Sequence, residues 1–254
     1  MLKCFLIKGG DRMEKYISAI IITFFIYAFA GWIWESFVCP VITGHKIKNS
    51  GFLNGPIVPI YGVGAIVVSL LFSPTETILS VFIEGAFVAC VIEYFTSWIM
   101  EYLYHRRWWD YSNKAFNVNG RVCLEGFLVF GLFSVVCVKY VQPALLQKVM
   151  NHDLVTLIIV ATVMITLLTI DLISTVVALT HLEERVDKLS KELEEYAKKA
   201  LSEFERTKNS YSDIIEIMKL KDQVAYKEMA ARNKFMDKRV IRAFPHLINK
   251  RGSK

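Results

Sequence analysis

The chain has 254 residues, 54% of them hydrophobic, with 30 Lys/Arg against 24 Asp/Glu. A mean hydropathy of +0.39 excludes an ordinary soluble domain, in which several long uncharged runs would not occur. The net charge of +6 is uneven: residues 1–180 hold 12 basic and 11 acidic side chains, 181–231 hold 10 and 12, and 232–254 hold 8 and 1. The positive excess therefore belongs to the tail, which reads as cytoplasmic and anion-facing.

Residues 1–12, MLKCFLIKGGDR, are expected to be a non-native extension. Lys8-Gly9-Gly10-Asp11 can be encoded by AAAGGAGGTGAT, a bacterial ribosome-binding sequence at a sensible distance from Met13. Tyr16–Val38 is the first predicted span; at ~1.5 Å per residue it covers roughly 35 Å, enough for a ~30 Å hydrocarbon core. It closes on Gly31, Trp32, Trp34 and Glu35. Tryptophan there reads as interfacial anchoring, and Glu35 either snorkels to water or faces the bundle interior.

Asn49–Ala65 places four glycines and two prolines at the start of the next apolar run. Pro56 suits a first helical turn, where its missing N–H costs nothing. The small residues serve either close helix packing or a broken helix whose exposed N–H groups face a solute. Pro56–Phe72 is the second, short span. Ser73–Glu76 predicts a tight turn, with Thr75 as N-cap of the third span, Thr77–Tyr104. On that helix Glu93, Ser97, Glu101 and His105 form one drifting polar stripe, while Glu84 falls ~180° from Glu93, so a straight helix cannot aim both at one cavity.

His105–Glu125, HRRWWDYSNKAFNVNGRVCLE, is the most polar stretch of the first 180 residues. It concentrates Trp108, Trp109, Asp110, Tyr111, Asn117, Asn119, Arg121 and Glu125 between two apolar runs. Cys123–Val141 is the fourth span, with Pro143 expected to end or redirect it. Asn151–Asp153 caps the fifth, Leu154–Leu179, which carries Asp171. Cys4, Cys39, Cys90, Cys123 and Cys137 show no CxxC spacing and read as buried thiols.

From His181 the pattern changes. Leu182, Val186, Leu189, Leu193, Tyr196 and Ala200 recur at four- and three-residue steps, a coiled-coil-like seam suited to oligomerisation. Residues 181–231 are thus expected to form amphipathic helices. Arg232–Lys254 interleaves basic and apolar residues as a surface-bound segment on anionic lipid does. It lacks a nucleic-acid-binding motif. The expected fold is all-α: a polytopic membrane domain of about five spans over 13–180, then a cytoplasmic helical tail. Lys and Arg concentrate in the loops 42–54 and 105–121, which places these beside the tail on the cytoplasmic side.

An ionised carboxylate in hydrocarbon costs a few kcal/mol. Arg121 is spaced i,i+4 from Glu125 in the weaker orientation, so it is expected to pair across helices with Glu93 or Glu101. The charged groups either glue the bundle or build a polar cytoplasm-facing cavity. That cavity has Glu84, Glu93 and Asp171 on its floor, and Trp108–Tyr111 and Asn54–Tyr61 at its rim. Glu35, Glu101, Asn117, Arg121 and Glu125 complete the candidate cavity or gate. No nucleophile elbow, HExxH, Walker A loop or metal-ligand spacing is present, so neither enzyme activity nor a cofactor is expected.

Five spaced motifs carry a resemblance: Gly31-Trp32-x-x-Glu35, the GFLNGPxxPIYG run at Gly51–Gly62, the acidic helix through Glu84 and Glu93, WWDYS at Trp108–Ser112, and NxxGRVCLE at Asn117–Glu125. Together they resemble a family of bacterial membrane proteins labelled "putative ABC-transporter type IV", or ABC transporter permease. RAFP at Arg242–Pro245 is similar to that family's C-terminal tail. The resemblance implies a permease-type subunit and, because this chain has no nucleotide-binding motif, an ATPase on a separate polypeptide. A structural or regulatory scaffold acting through the helical tail is the competing reading.

Overall fold

The computed structural model describes residues 10–44, 49–104 and 107–207. Expectations placed on residues 1–9, His45, Lys46, Lys48, His105, Arg106 and 208–254 lie outside the described residues. So do the side chains of the heptad seam, Leu182, Val186, Leu189, Leu193, Tyr196 and Ala200. The described residues are helical apart from turns, loops and one isolated antiparallel bridge between Val118 and Val122.

The first helical run comprises α1 (Gly10–Ile33), a π turn (Trp34–Val38) and α2 (Cys39–Thr43). The π turn has a local cause. Pro40 has no N–H, and its ring would strike the carbonyl four residues back. The preceding turn widens, and Cys39 donates to the Trp34 carbonyl five residues back. Gly44 ends the run in the left-handed conformation, φ 71°, donating to Pro40 O.

The same device recurs after α5 (Leu124–Val136). A π turn (Cys137–Val141) precedes α6 (Gln142–Val149), Gln142 donates to Cys137 O, and Pro143 occupies the first turn of the new helix. Pro143 therefore neither ends the fourth apolar helix nor stops it at Val141. The wider turn absorbs the proline, and the helix continues to Val149.

Residues 49–58 are not helical, yet most of their donors are satisfied. Ser50 N donates to Ser36 Oγ (3.3 Å) and Gly51 N to Asn49 Oδ1 (3.2 Å). Asn54 N and Gly55 N donate to Asp171 (3.0 and 2.8 Å). Ile57 N reaches Gly55 O and Val58 N reaches Ala28 O, both at 2.9 Å. The helix α3 starts at Pro59 and ends at Leu71. Pro59, not Pro56, takes the first helical turn. A residue preceding proline is pushed to extended geometry, and Val58 sits at φ −122°, ψ 95°.

α3 closes against α1 through missing side chains. A Cβ on Gly31 would meet the Tyr61 ring at 2.4 Å, and one on Gly62 would meet the Phe24 ring at 2.5 Å and the Phe24 carbonyl at 2.8 Å. The turn Ser73–Glu76 forms as expected, with Glu76 N on Ser73 O (3.1 Å) and Ser73 N on Glu76 Oε1 (2.9 Å). Lys139 donates to the carbonyls of Pro74 and Glu76. The cap of α4 (Ile78–Tyr104) is Thr77 rather than Thr75: Thr77 Oγ1 accepts from Ser80 N (3.2 Å), while the Thr75 hydroxyl is bonded to Ser73.

α4 and α5 also meet at small residues, Gly85 against Ser134 and Gly131 against Phe82. Asp153 caps α7 (Leu154–Thr207), its carboxylate accepting from Thr156 N and Thr156 Oγ1, both at 2.9 Å. The chain divides into two compact units: one runs to Asp171, and the other, described over 172–207, continues as the rest of α7.

Four stretches are long and apolar enough to cross a membrane: Gly10–Ile42, Ile78–Tyr104, Leu124–Val149 and Leu154–His181. Pro59–Leu71 is a shorter apolar helix. Many large apolar side chains face outward while several polar ones are buried. Phe87, Phe95, Val155 and Leu167 are each more than half exposed, while Glu93, Ser97, Thr23 and Ser36 are buried. Large exposed apolar faces are a liability in water and the ordinary state against lipid.

Candidate functional site

The polar stretch between α4 and α5 is a compact, self-bonded loop over its described residues, 107–123. Tyr111 N donates to Gly120 O (2.7 Å), Val118 N to Val122 O (2.9 Å) and Arg121 N to Val118 O (3.0 Å). Asn117 ties the loop internally, donating to the carbonyls of Ser112 (3.2 Å) and Lys114 (2.9 Å) and accepting from Gly120 N (3.0 Å). Asp110 accepts from Ser112 N (3.0 Å). Gly120, at φ 66°, is required twice over: a Cβ would lie 2.5 Å from Ser112 Oγ and 2.6 Å from Asp110 Oδ1.

Two arginines fasten this loop to α4 through one carboxylate. Glu101 receives Arg107 Nε on both oxygens (3.1 and 3.0 Å) and Arg121 Nη2 on Oε2 (2.7 Å). The cross-helix pairing expected of Arg121 thus falls on Glu101, not Glu93. The Arg121 guanidinium also lies over the Tyr94 ring, 5.3 Å from its centroid. Glu125 pairs with Lys114 (2.7 Å). That partner raises the Lys114 amine above its ordinary value, first through the hydrogen bond and then through the opposite charge.

The two tryptophans have different work. Trp109 donates Nε1 to Arg121 O (3.0 Å), holding the loop's two ends together. Trp108 is buried edge-on against Tyr104 and Phe52, with ring centroids 5.1 and 5.9 Å away. Phe52 belongs to the Gly-rich segment 49–58, so the two unusual stretches of sequence meet through Trp108. Trp32 completes the junction by donating Nε1 to Asn49 Oδ1 (2.9 Å).

Deeper in the bundle, two carboxylates are held by tyrosine hydroxyls. Tyr61, in the first turn of α3, donates to Glu35 Oε1 in the π turn (2.6 Å). Glu35 is therefore turned inward. Tyr111 donates to Glu93 Oε1 (3.3 Å). Glu35 and Glu93 lie close enough to interact electrostatically with each other and with both phenols. Burial, followed by the negative charges of Glu93 and Glu35, pushes the Tyr111 phenol well above its usual range and keeps it a neutral donor. Glu93 is 7% exposed, and its Oε2 has no hydrogen-bond partner among the described residues.

The remaining candidates stand apart. Glu84 is exposed on the opposite side of α4, where it accepts from Ser80 Oγ (2.7 Å), and the structure does not bring it to the others. Asp171 accepts the backbone N–H groups of Asn54 and Gly55. The donors of the Gly-rich segment thus face a carboxylate of the same chain. Among the described residues no group of three or more His, Cys, Asp or Glu is arranged to hold a metal ion. The sequence reading missed the Tyr61–Glu35 and Tyr111–Glu93 pairs, because each joins residues 26 or 18 positions apart. The available signal was chemical: two carboxylates among apolar helices, with the nearby arginines already outnumbered.

These features define a multi-pass helical membrane protein with a polar cluster at the end of the bundle that carries both unusual segments. The match with known families gives it a place: residues 22–176, more than half of the chain, match the family described as "Putative ABC-transporter type IV". The chain belongs to that family. Comparison with curated proteins and with solved structures finds no match.

Proposed function

We propose that this protein is the membrane-embedded, permease-type subunit of an ABC-transporter assembly whose ATPase is a separate polypeptide. In this reading the chain crosses the bilayer five times, α3 and the extended residues before it making the short second pass. The loop 107–123 and the segment 49–58 face the cytoplasm with the tail, as the distribution of Lys and Arg favours. Glu35, Tyr61, Glu93 and Tyr111 line a polar cavity open to that side.

The observation that carries the reading is convergence. Four of the motif stretches, at Gly31–Glu35, Gly51–Gly62, Trp108–Ser112 and Asn117–Glu125, are spread over residues 31–125. Yet they supply Trp32 to Asn49, Tyr61 to Glu35, Tyr111 to Glu93 and Arg121 to Glu101. Residues needed only to span lipid would have no reason to meet this way. Buried charge is expensive in a membrane and marks solute or ion pathways. Affinity purification of the tagged full-length chain from its host in mild detergent tests the reading. An ATP-binding polypeptide is expected to co-purify. Solute flux through liposomes containing this chain alone would instead indicate a channel or secondary carrier.

A second reading is a membrane scaffold acting through its cytoplasmic helices. The length of α7 favours it: the helix continues to Thr207, well past the apolar stretch that ends at His181. Deleting residues 181–254 then abolishes function while Glu93→Gln and Arg121→Gln are tolerated. The permease reading predicts the reverse sensitivity for the two point substitutions.

A further inference from the structure

We infer that the Glu35–Glu93 cluster binds a small monovalent cation, an alkali ion or a primary ammonium group; calling that cation a transported solute rests on the permease reading above. The charge balance comes first. Arg107 and Arg121 are both committed to Glu101, and Lys114 to Glu125. Among the described residues neither Glu35 nor Glu93 has an ion-pair partner. Each receives a tyrosine hydroxyl instead, which supplies a hydrogen bond and no charge. Two carboxylates that feel each other inside an apolar bundle are costly without a counter-charge.

The second observation concerns unpartnered oxygens and adds a residue outside the acidic pair. Two side chains on one face of α4 are more than nine-tenths buried and have oxygens without partners: Glu93 at Oε2 and Ser97, one turn further on, at Oγ. Unsatisfied buried oxygens in adjacent turns call for a ligand that accepts electron pairs or donates hydrogen bonds. Glu93 Oε2 points to the first turn of α5, 4.0 Å from where a Cβ of Gly126 would sit. The absence of a side chain at Gly126 leaves that approach open. A monocation matches this set better than a dication does, because among the described residues no third acidic or imidazole ligand joins it.

Thermal unfolding of the purified full-length protein in detergent tests the inference. Ionic strength and pH are held constant with N-methylglucamine chloride. Sodium, potassium and methylammonium chlorides are then substituted in turn, the first two reporting an alkali ion and the third an ammonium group. The expected result is a saturable rise in Tm with at least one of the three, lost in Glu93→Gln and kept in Glu84→Gln. Glu35→Gln, which keeps an acceptor for Tyr61, provides a second variant should Glu93→Gln not fold, and it too is expected to lose the rise. A Tm that does not respond to any of the three, that follows pH alone, or that rises equally in the Glu93 and Glu35 variants overturns the inference. Because no ATPase is involved, failure to find one would leave this result standing and remove only the transport role.

Discussion

At Gly120 the backbone angle and the neighbours make the same demand. Gly120→Ala is expected to cost about 1–3 kcal/mol, through a left-handed backbone and contact with Ser112 and Asp110. Thermal unfolding in detergent would read it directly. Phe116 is also left-handed, at φ 51°, and is 83% exposed. Glu101 holds two arginines, so its loss is worse than the loss of either partner. Glu101→Gln should destabilise the loop more than Arg121→Gln, which leaves Arg107 in place. Each charge-assisted hydrogen bond contributes about 1.5–3 kcal/mol, and hydrogen exchange across residues 107–123 is the measurement. Asp153 gives a pH effect with a definite sign. Its carboxyl is held below the usual range by the backbone N–H and then the hydroxyl of Thr156. Its contribution is therefore present above the unfolded-state value and fades as pH falls through the lower folded one. Asp153→Asn, still able to cap, should lose that acid dependence while keeping most of the helix start, as followed by circular dichroism against pH.

At the scale of elements, Asp171 couples the segment 49–58 to α7. Asp171→Ala strands the N–H groups of Asn54 and Gly55, an expected loss of about 2–4 kcal/mol. Asp171→Asn keeps an acceptor and should lose less. Faster proteolysis within 49–58 would report the loosening. Gly62→Leu should be as damaging, because it meets the Phe24 carbonyl, which cannot move as a side chain can. How far the elements were legible follows from these cases. The long apolar helices are plain in the sequence, because length and composition settle them. The two π turns are not: a proline says only that the ladder is interrupted, and whether the chain stops or widens depends on what covers the helix. Of the two readings of Pro143, the one in which it ends the fourth helix fails for that reason. Thr75 was chosen over Thr77 because both are capping residues two positions apart, and only the backbone of the turn decides between them. The Gly-rich segment was legible as irregular. Its donors were not traceable to Asp171, more than a hundred residues away.

For the whole molecule, a buried polar cluster inside an apolar exterior separates this bundle from a soluble one. The candidate residues were largely recognisable as residues without hydrocarbon business. Their grouping was not recognisable, since it depends on close approach at Gly31 and Gly62 and on a loop that folds back through Asn117 and Gly120. Glu84 shows the limit: the same residue type on the same helix as Glu93 faces outward, where it bonds Ser80 and not the cluster. On the proposed permease reading the cluster faces the cytoplasm, the side on which a separate ATPase would act. ATP hydrolysis by the assembly purified through the full-length chain, in mild detergent, tests this most directly. The account predicts a co-purified ATP-binding polypeptide whose hydrolysis rate falls when Arg121→Gln loosens the loop, with the polypeptide still bound. Purification of the chain free of any ATP-binding polypeptide and without hydrolysis, or hydrolysis indifferent to Arg121→Gln, would contradict it.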